Sequence, residues 1–586
     1  MKTAIFPVNL VLSTVVALLS VLPCSLEGFL GPQTLVLPRS QSVNAARDLV
    51  GWQQQLHRPS DGNNYWVFAF TPEYTHTFDS RHITEQLFGT CHFNVTGSAV
   101  PNRKSYDLLA DYFALPRDFE SELCVHPFIS QFIADFNFYV GLDRICDGLF
   151  FLIHFPVVHT KWDIQFGEKI WVPGTAFDPA GYFSAERIER KNLLRNMREY
   201  LLGTRPVGDM EEPLAYQKVF GLTGRDEANR LAEVQFALGY DFARSDAYHF
   251  GIEARAYAPA GNRPNALYLF DAIVGNGHHW ELGAGLTSHY RIWDDGCHAI
   301  LVYLDANITH LFSAGSKRAF NLKNRCRGSR YMLLEEIAPG SLNLFADGEP
   351  ATDQYVGRLL PAVNVTTACV DTYFNVQADI ALKLAFCRNN FCFDLGYNFW
   401  GRSHEKIDCP PFLPPNRYAL KGDAQVYGFS GQSSYYGYSS YLDAIPLSAT
   451  QNEATIFAGQ GAGNFVPGME FANENADNKA YAFGPISGDI LVQLDDGDSA
   501  ALYIPQEPVY TSQPSIFLTD DDIDVESGLV PTSITNKMFM HFGYTWYSTV
   551  CNPFLGAGCE IEWADGYRHR GGIAQWGIWW KLGLAY

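Results

Sequence analysis

From Cys369 to Phe399 the chain alternates for longer than a globular strand allows. Val370, Phe374, Val376, Ala378, Ile380, Leu382, Leu384 and Phe386 fall on one side, and Asp371, Asn375, Gln377, Asp379 and Lys383 on the other. Period two is strand geometry. After the turn Arg388-Asn389-Asn390, the residues Phe391, Phe393, Leu395, Tyr397 and Phe399 repeat the apolar set against Asp394 and Asn398. The first arm is about 16 residues, roughly 50 Å at strand rise, whereas globular strands usually run about 3–10 residues. A strand that crosses a hydrocarbon layer and stands above it accounts for the excess. The expected fold is therefore all-β, a transmembrane antiparallel β-barrel with the apolar set against lipid and the polar or small set facing in.

Other segments carry the same pattern. Trp66, Phe68, Phe70 and Tyr74 share a face, as do Phe132, Ala134, Phe136, Phe138 and Val140 opposite Gln131, Asp135 and Asn137. Phe236, Leu238, Tyr240 and Phe242 are followed, after Arg244-Ser245-Asp246, by Tyr248, Phe250, Ile252 and Ala254. At the end, Trp576, Ile578, Trp580, Leu582, Leu584 and Tyr586 alternate with Gly577, Trp579, Lys581, Gly583 and Ala585, as expected of a barrel-closing strand. Apolar residues make up 47% of the chain, yet beyond the first 22 residues no long uncharged apolar run occurs. Helical spans are not expected, and a barrel needs none.

Residues 1–25 read as a secretory signal: Lys2, then an apolar run from Ile5 to Leu22, then small residues at Cys24 and Ser25. Residues 26–64 form an extended lead-in with little periodic signal, and 65–586 the barrel. Counting the clear strands and allowing for hidden ones near Lys421–Phe429 and Ala500–Ile504 gives 14–18 strands, with 16 preferred. Residues 402–530, rich in Gly, Pro, Ser, Asn and Asp, are expected as large loop excursions. The stretch 183–203 differs in kind. Ile188, Leu194, Met197 and Leu201 have helical spacing, with Ser184 as N-cap and Gly203 as stop. It concentrates Arg187, Arg190, Lys191, Arg195 and Arg198 in an otherwise acidic chain, either on a helix packed on a loop or on one folded into the pore to set its ion preference.

The net charge of −21 argues against nucleic acid as a partner. Eleven cysteines follow the signal, without CxxC or zinc-finger spacing. Export favours disulfides, and an odd number leaves one thiol unpaired within the chain. Cys387 and Cys392 flank a short turn and are the first candidate pair. Cys551 and Cys559, across NPFLGAG, are the second. GxSxG, HExxH and a Walker loop are absent. His154, His159, Lys161 and Asp163 are the nearest approach to a reactive cluster, and no serine partner is identifiable. Asp495, Asp496 and Asp498 in LDDGDS lack the EF-hand pattern. No catalytic residue, cofactor or metal is assigned, and the chain is not expected to be an enzyme.

The block VDTYFNVQADIALKLAFCRNNFCFDLGYNFWGRSHEKI, with PVVHTKWD at 156–163 and the closing strand, resembles the major outer-membrane proteins and porin-like barrels of chlamydia-related intracellular bacteria. The resemblance implies a general diffusion channel in the bacterial outer membrane that also braces the envelope through disulfides. The segments 183–203 and 402–530 depart from that pattern. The expected function is a porin passing small hydrophilic solutes and ions. Its expected partners are outer-membrane lipids and, through cysteines, a homo-oligomer or disulfide-linked envelope proteins. A structural or adhesive barrel without conductance, and an outer-membrane hydrolase, are the alternatives.

Overall fold

A computed structural model describes residues 33–59, 63–78, 80–179, 181–214, 225–338, 354–424, 426–430, 443–446, 450–459, 491–493, 499–501, 515–564 and 571–586. The expected signal at 1–25 and the acidic LDDGDS segment through Asp498 lie outside the described residues.

Twelve strands close a barrel: β1 (Tyr65–Thr77), β2 (Phe128–Gly141), β3 (Leu149–Asp163), β4 (Glu233–Arg244), β5 (Tyr248–Pro259), β6 (Glu281–Asp294), β7 (His298–Ala319), β8 (Thr367–Arg388), β9 (Phe391–Arg402), β10 (Ser533–Thr545), β11 (Asn552–Ala564) and β12 (Gln575–Ala585). Each pairs antiparallel with its neighbours in sequence, and β12 pairs with β1 to complete the ring. Two further strands lie outside it. Arg225–Leu231 extends β3, and Glu405–Ile407 pairs with β8. The barrel expected from sequence is present, but with 12 strands rather than 14–18. The segments expected to hide extra strands hold short strands outside the ring: Tyr427–Ser430 pairs with Asp443–Pro446, and Ser499–Ala501 pairs with Leu491–Gln493.

The surface is inverted relative to a soluble protein. On β8, Leu382, Leu384 and Phe386 are 48, 47 and 44% exposed, while Lys383 between them is 3% exposed. On β12, Trp580 is 59% exposed and Trp579 is 1% exposed. An apolar outer face around a charged interior is what a bilayer selects. Aromatic pairs sit toward both ends of this face. Trp66 stacks on Tyr586 at 5.8 Å and Tyr544 meets Trp546 at 4.7 Å near one rim, while Tyr74 meets Trp576 at 5.8 Å near the other. Amphipathic rings favour the level of the headgroups.

One alternation departs from expectation. Val370 and Phe374 were expected on the lipid face with Leu382. The pairing of β7 with β8 shifts register between Thr309 and Leu311 and again before Ala314. The first adds a residue to β8 and reverses which side of that strand faces in, and the second adds one to β7 and does the same there. Val370 and Phe374 therefore point inward, 2 and 0% exposed, and Asp371 points out. At 22 residues each, β7 and β8 outrun the other strands.

The two rims differ. At one, short turns at 142–148, 245–247, 295–297, 389–390 and 546–551 join the strands. At the other, the connections are long and fold into a cap with its own core. A four-stranded sheet (His92–Thr96, Leu108–Leu109, Glu120–Val125, Phe166–Val172) and a three-stranded one (Leu333–Ala338, Gln354–Pro361, Tyr418–Leu420) share that core. Helix α1 (Ser80–Phe88) adds Ile83 and Leu87, spaced i and i+4 on its buried face.

The single helix expected over 183–203 does not form. The segment holds a 3-10 turn at Arg190–Asn192 and a five-residue helix at Met197–Leu201. Leu193, Leu194, Met197, Tyr200 and Leu201 all enter the cap core, and meeting several neighbours there is met by an irregular path rather than one helical face.

Candidate functional site: a lumen filled by the lead-in

The interior wall is strongly charged and predominantly acidic. Inward positions place Glu73 on β1, Asp135 on β2, Glu233 and Asp241 on β4, Glu253 on β5, Glu281 on β6, Asp305 on β7, Asp379 on β8, Asp394 on β9, and Glu560 and Glu562 on β11. The basic residues of the wall are fewer: Arg255, Arg318, Lys383, Arg402, Lys537 and Lys581. Asp135, Asp241, Glu253 and Asp394 follow from period two alone, since each sits between apolar residues of the outer face.

What fills the space between them is the lead-in. Thr34 donates from its hydroxyl to the Ala319 carbonyl at 2.6 Å, at the cap end. The chain then descends through the lumen to the short-turn rim and enters β1. Leu35 and Leu37 pack against Ile273, Leu311, Phe374 and Val530, an apolar collar just under the cap. This collar gives the inward turn of Phe374 its role.

Below the collar, two arginines of the lead-in answer the acidic wall. Arg39 donates to Asp379 at 2.8 Å, to Glu562 at 3.3 Å and to Asn398 at 3.0 Å. Arg47, fully buried, donates to Glu73 at 2.7 Å and pairs with Asp135 at 3.0 Å. Asp135 also takes His154 Nε2 at 2.5 Å. Between the arginines, Ala45–Asp48 forms one helical turn capped by Asn44, whose side chain accepts from the Arg47 amide. Asn44 is itself held by Glu560 and by Lys537 at 3.1 Å. Lys581 donates to the Arg47 carbonyl at 2.6 Å. Gly51 has φ +78, and a Cβ there would lie 2.6 Å from His541 Nε2, so both conformation and space call for glycine. Below it, Gln54 donates to both sulfurs of Cys387 and Cys392, and His57 meets Asp241 at 2.8 Å.

Little room remains along this path. The void beside Arg39 and Trp400 is about 20 Å³ and the one beside Trp52 and His154 about 40 Å³, enough for a water or a few. A vestibule of about 430 Å³ opens below, at the short-turn mouth, among His57, Arg58, His289, Arg291, Asp294 and Tyr547.

The residues singled out from sequence have mixed placements. Cys387 and Cys392 are paired opposite each other at the tip of the β8–β9 hairpin and joined by a disulfide, with Cα atoms 4.1 Å apart. Cys551 and Cys559 are not joined. The turn lies before Cys551, at 546–551, so NPFLGAG is part of β11 itself. Eight positions along one strand separate the two thiols by roughly 27 Å. The basic residues of 183–203 lie on the cap, beyond the end of β3. Arg187 pairs with Glu189 at 3.0 Å, Arg190 donates to the Gly174, Leu194 and Pro173 carbonyls, Arg195 pairs with Glu199, and Arg198 donates to the Phe166 carbonyl. Lys191 is exposed. His154 faces the lumen, whereas His159, Lys161 and Asp163 face outward beside the Arg225–Leu231 strand. Arg39, Arg47 and His57 carried no sequence signal, because the lead-in has no period and its partners are hundreds of residues away.

The cap holds buried charges of its own. Arg117 donates to Asp178 at 3.2 Å, and Lys421 lies 3.3 Å over the Tyr182 ring. Burial outweighs the pull of Arg117 and pushes Asp178 up to about 7. Burial brings Lys421 down to about 7 against the pull of Glu335.

A closed antiparallel ring with an apolar exterior, a charged interior and aromatic rims defines a membrane-spanning β-barrel, here with a lumen occupied by its own chain. No family model and no curated protein matches the sequence. Among solved structures, it is similar to an outer-membrane channel from Pseudomonas putida F1, at 7% identity and a TM-score of 0.28 over 89% of this chain and 95% of that one. A Pseudomonas aeruginosa FadL homologue aligns at 6% identity and 0.26 over 94% and 99%. The translocator domain of the autotransporter NalP from Neisseria meningitidis aligns at 6% and 0.24 over 90% and 89%. The class rests on the closure and surface of the barrel itself.

Proposed function

We propose that this chain is an outer-membrane transport barrel for small hydrophilic solutes and ions, held closed at rest by residues 33–58. The observation that carries the reading is the match between lead-in and wall. Arg39 neutralises carboxylates of β8 and β11, and Arg47 those of β1 and β2, which would otherwise face an aqueous path. A wet, charged lumen suits hydrophilic cargo, and withdrawal of the lead-in leaves an acidic wall that favours cations. The short-turn rim is assigned to the periplasm and the cap to the outside, following the usual asymmetry of such barrels.

Planar-bilayer recording tests this. The full chain should be nearly silent, and a variant lacking residues 26–58 should show stepwise, cation-preferring conductance. Silence of the correctly folded deletion variant would overturn the transport reading. It would favour the second reading, a structural or adhesive barrel, for which the filled lumen and large cap also speak. Bracing of the envelope through disulfides, and kinship with the major outer-membrane proteins of chlamydia-related bacteria, belong to the same proposal. The exposed thiols of Cys146, Cys297, Cys326, Cys369 and Cys409 support the bracing.

A further inference from the structure

Where the lead-in leaves the lumen, three imidazoles and a carboxylate converge. His57 comes from the lead-in, Asp241 from β4, His249 from β5 and His289 from β6. His249 and His289 are direct cross-strand partners, and Gly251, two residues beyond His249, pairs with Asp241. A Cβ on Gly251 would lie 2.3 Å from Asp241 Oδ1, so glycine there leaves the carboxylate its place. One ring nitrogen each from His57 and His249 and one oxygen of Asp241 all lie within 4.8 Å of one another. His57 Nδ1 is 2.8 and 3.1 Å from the two Asp241 oxygens. The His249 and His289 rings face each other Nδ1 to Nδ1. The other nitrogen of His249 is oriented by the Thr287 hydroxyl at 2.9 Å, the outer-sphere arrangement typical of a metal-binding imidazole.

We propose that His57, Asp241 and His249, with His289 drawn in from beside His249, form a divalent transition-metal site that ties the lead-in to the barrel wall; the His57 and His249 rings stack at 4.2 Å, and one of them turns to aim its nitrogen at the ion. Imidazole nitrogens with one carboxylate oxygen suit zinc and its neighbours, not calcium or magnesium. Two imidazoles directed at each other through the same nitrogen share at most one proton, whereas both lone pairs serve a cation. The vestibule of about 430 Å³ at the short-turn mouth is lined by His57 and His289, which provides the entry path. The other comparable group, Asp48 with Asp135 and His154, differs in one respect. Arg47 already lies 3.0 Å from Asp135 and supplies the positive charge that an ion would bring. The proposal stands on this geometry and does not depend on whether the barrel conducts.

Cobalt(II) titration of the full chain, folded in detergent and stripped with chelator, tests it. The wild type should develop visible d–d bands that saturate near one equivalent and disappear on adding zinc. His57→Gln should weaken cobalt binding at least tenfold, as should His289→Gln, while His159→Gln, on the outer face, should leave it unchanged. Folding of each variant is checked by heat-modifiable gel mobility. His57 belongs to the lead-in, so its replacement leaves every barrel strand intact. Absence of saturable bands in the folded wild type, or equal affinity in wild type and His57→Gln, overturns the site.

Discussion

Arg47 is the residue on which the lead-in depends most. Its guanidinium is wholly buried between Glu73 and Asp135, and its removal would leave Glu73 without its hydrogen-bonded cation and Asp135 with His154 and Asn137 alone. Breaking such a pair from one side costs about 3–5 kcal/mol. Arg47→Ala should therefore lower resistance of the folded barrel to denaturant by that amount, or expel the lead-in and expose it to protease. Unfolding followed by gel mobility, with proteolysis alongside, separates the two outcomes. The cap carries a second residue-scale prediction. Asp178, ordinarily near 3.8, is raised to about 7, and Asp271 to about 6. Both hold a proton in the folded cap that the unfolded chain has released. Their contribution is thus fullest below about pH 4 and is lost as pH rises to 7. Lys421, lowered from 10.5 to about 7, works in the opposite window. It is neutral in the folded cap while still charged unfolded, so stability returns as pH climbs above 7. The cap should be weakest near pH 7, as read by protection of its core amides after correction for intrinsic exchange. Asp178→Asn should flatten the acid side of that profile.

At the scale of elements, hairpins were legible from sequence wherever both faces kept one identity. β2, β4, β5, β9 and β12 each put large apolar residues on lipid and polar or small ones inside, and period two reports that directly. β8 was legible in its lower half only. Its bulge sends Phe374 into the collar, and nothing local in the sequence marks where the register slips. The strand count was too high for a related reason. The described residues of 80–127, 164–214, 320–338, 354–366 and 403–424 contain short apolar runs that resemble strands, but these runs pack into the cap core rather than the ring. The Cys387–Cys392 bridge was legible because two residues beside a two-residue turn must face each other. The same shortness limits its energetic role. Closing so small a loop stabilises by about 2 kcal/mol at most, and strand pairing already holds the ends. Cys387→Ser with Cys392→Ser should shift the denaturation midpoint only slightly. The lead-in should stay in place, since the serine hydroxyls can accept from Gln54 where the sulfurs did.

For the molecule as a whole, the lead-in and the barrel are two halves of one electrostatic arrangement, and neither half could be read alone. Arg39 meets Asp379 across 340 positions and Glu562 across 523. The latter two lie three strands apart in the sheet, and its curvature turns both toward one guanidinium. The surplus of wall carboxylates was visible in the sequence as polar residues on alternating strands, but not what would balance it. The cysteines extend this division between inside and outside. Among the described residues, Cys387 and Cys392 are joined on the lumen side, whereas Cys146 and Cys297 lie exposed in short turns of one rim and Cys326, Cys369 and Cys409 are exposed at the cap end. Thiols in two layers on either side of a membrane can join only partners in their own layer. If the short-turn rim faces the periplasm, Cys146 and Cys297 should cross-link to periplasmic or membrane neighbours, and the cap thiols to surface ones. Non-reducing electrophoresis of isolated envelopes should then show high-mass species. Cys146→Ser with Cys297→Ser should remove one set of them and leave the other, while a membrane-impermeant thiol reagent applied to whole cells should label only the cap cysteines. Labelling of Cys146 or Cys297 from outside would reverse the orientation, and a protein that runs only as a monomer before reduction would end the case for bracing.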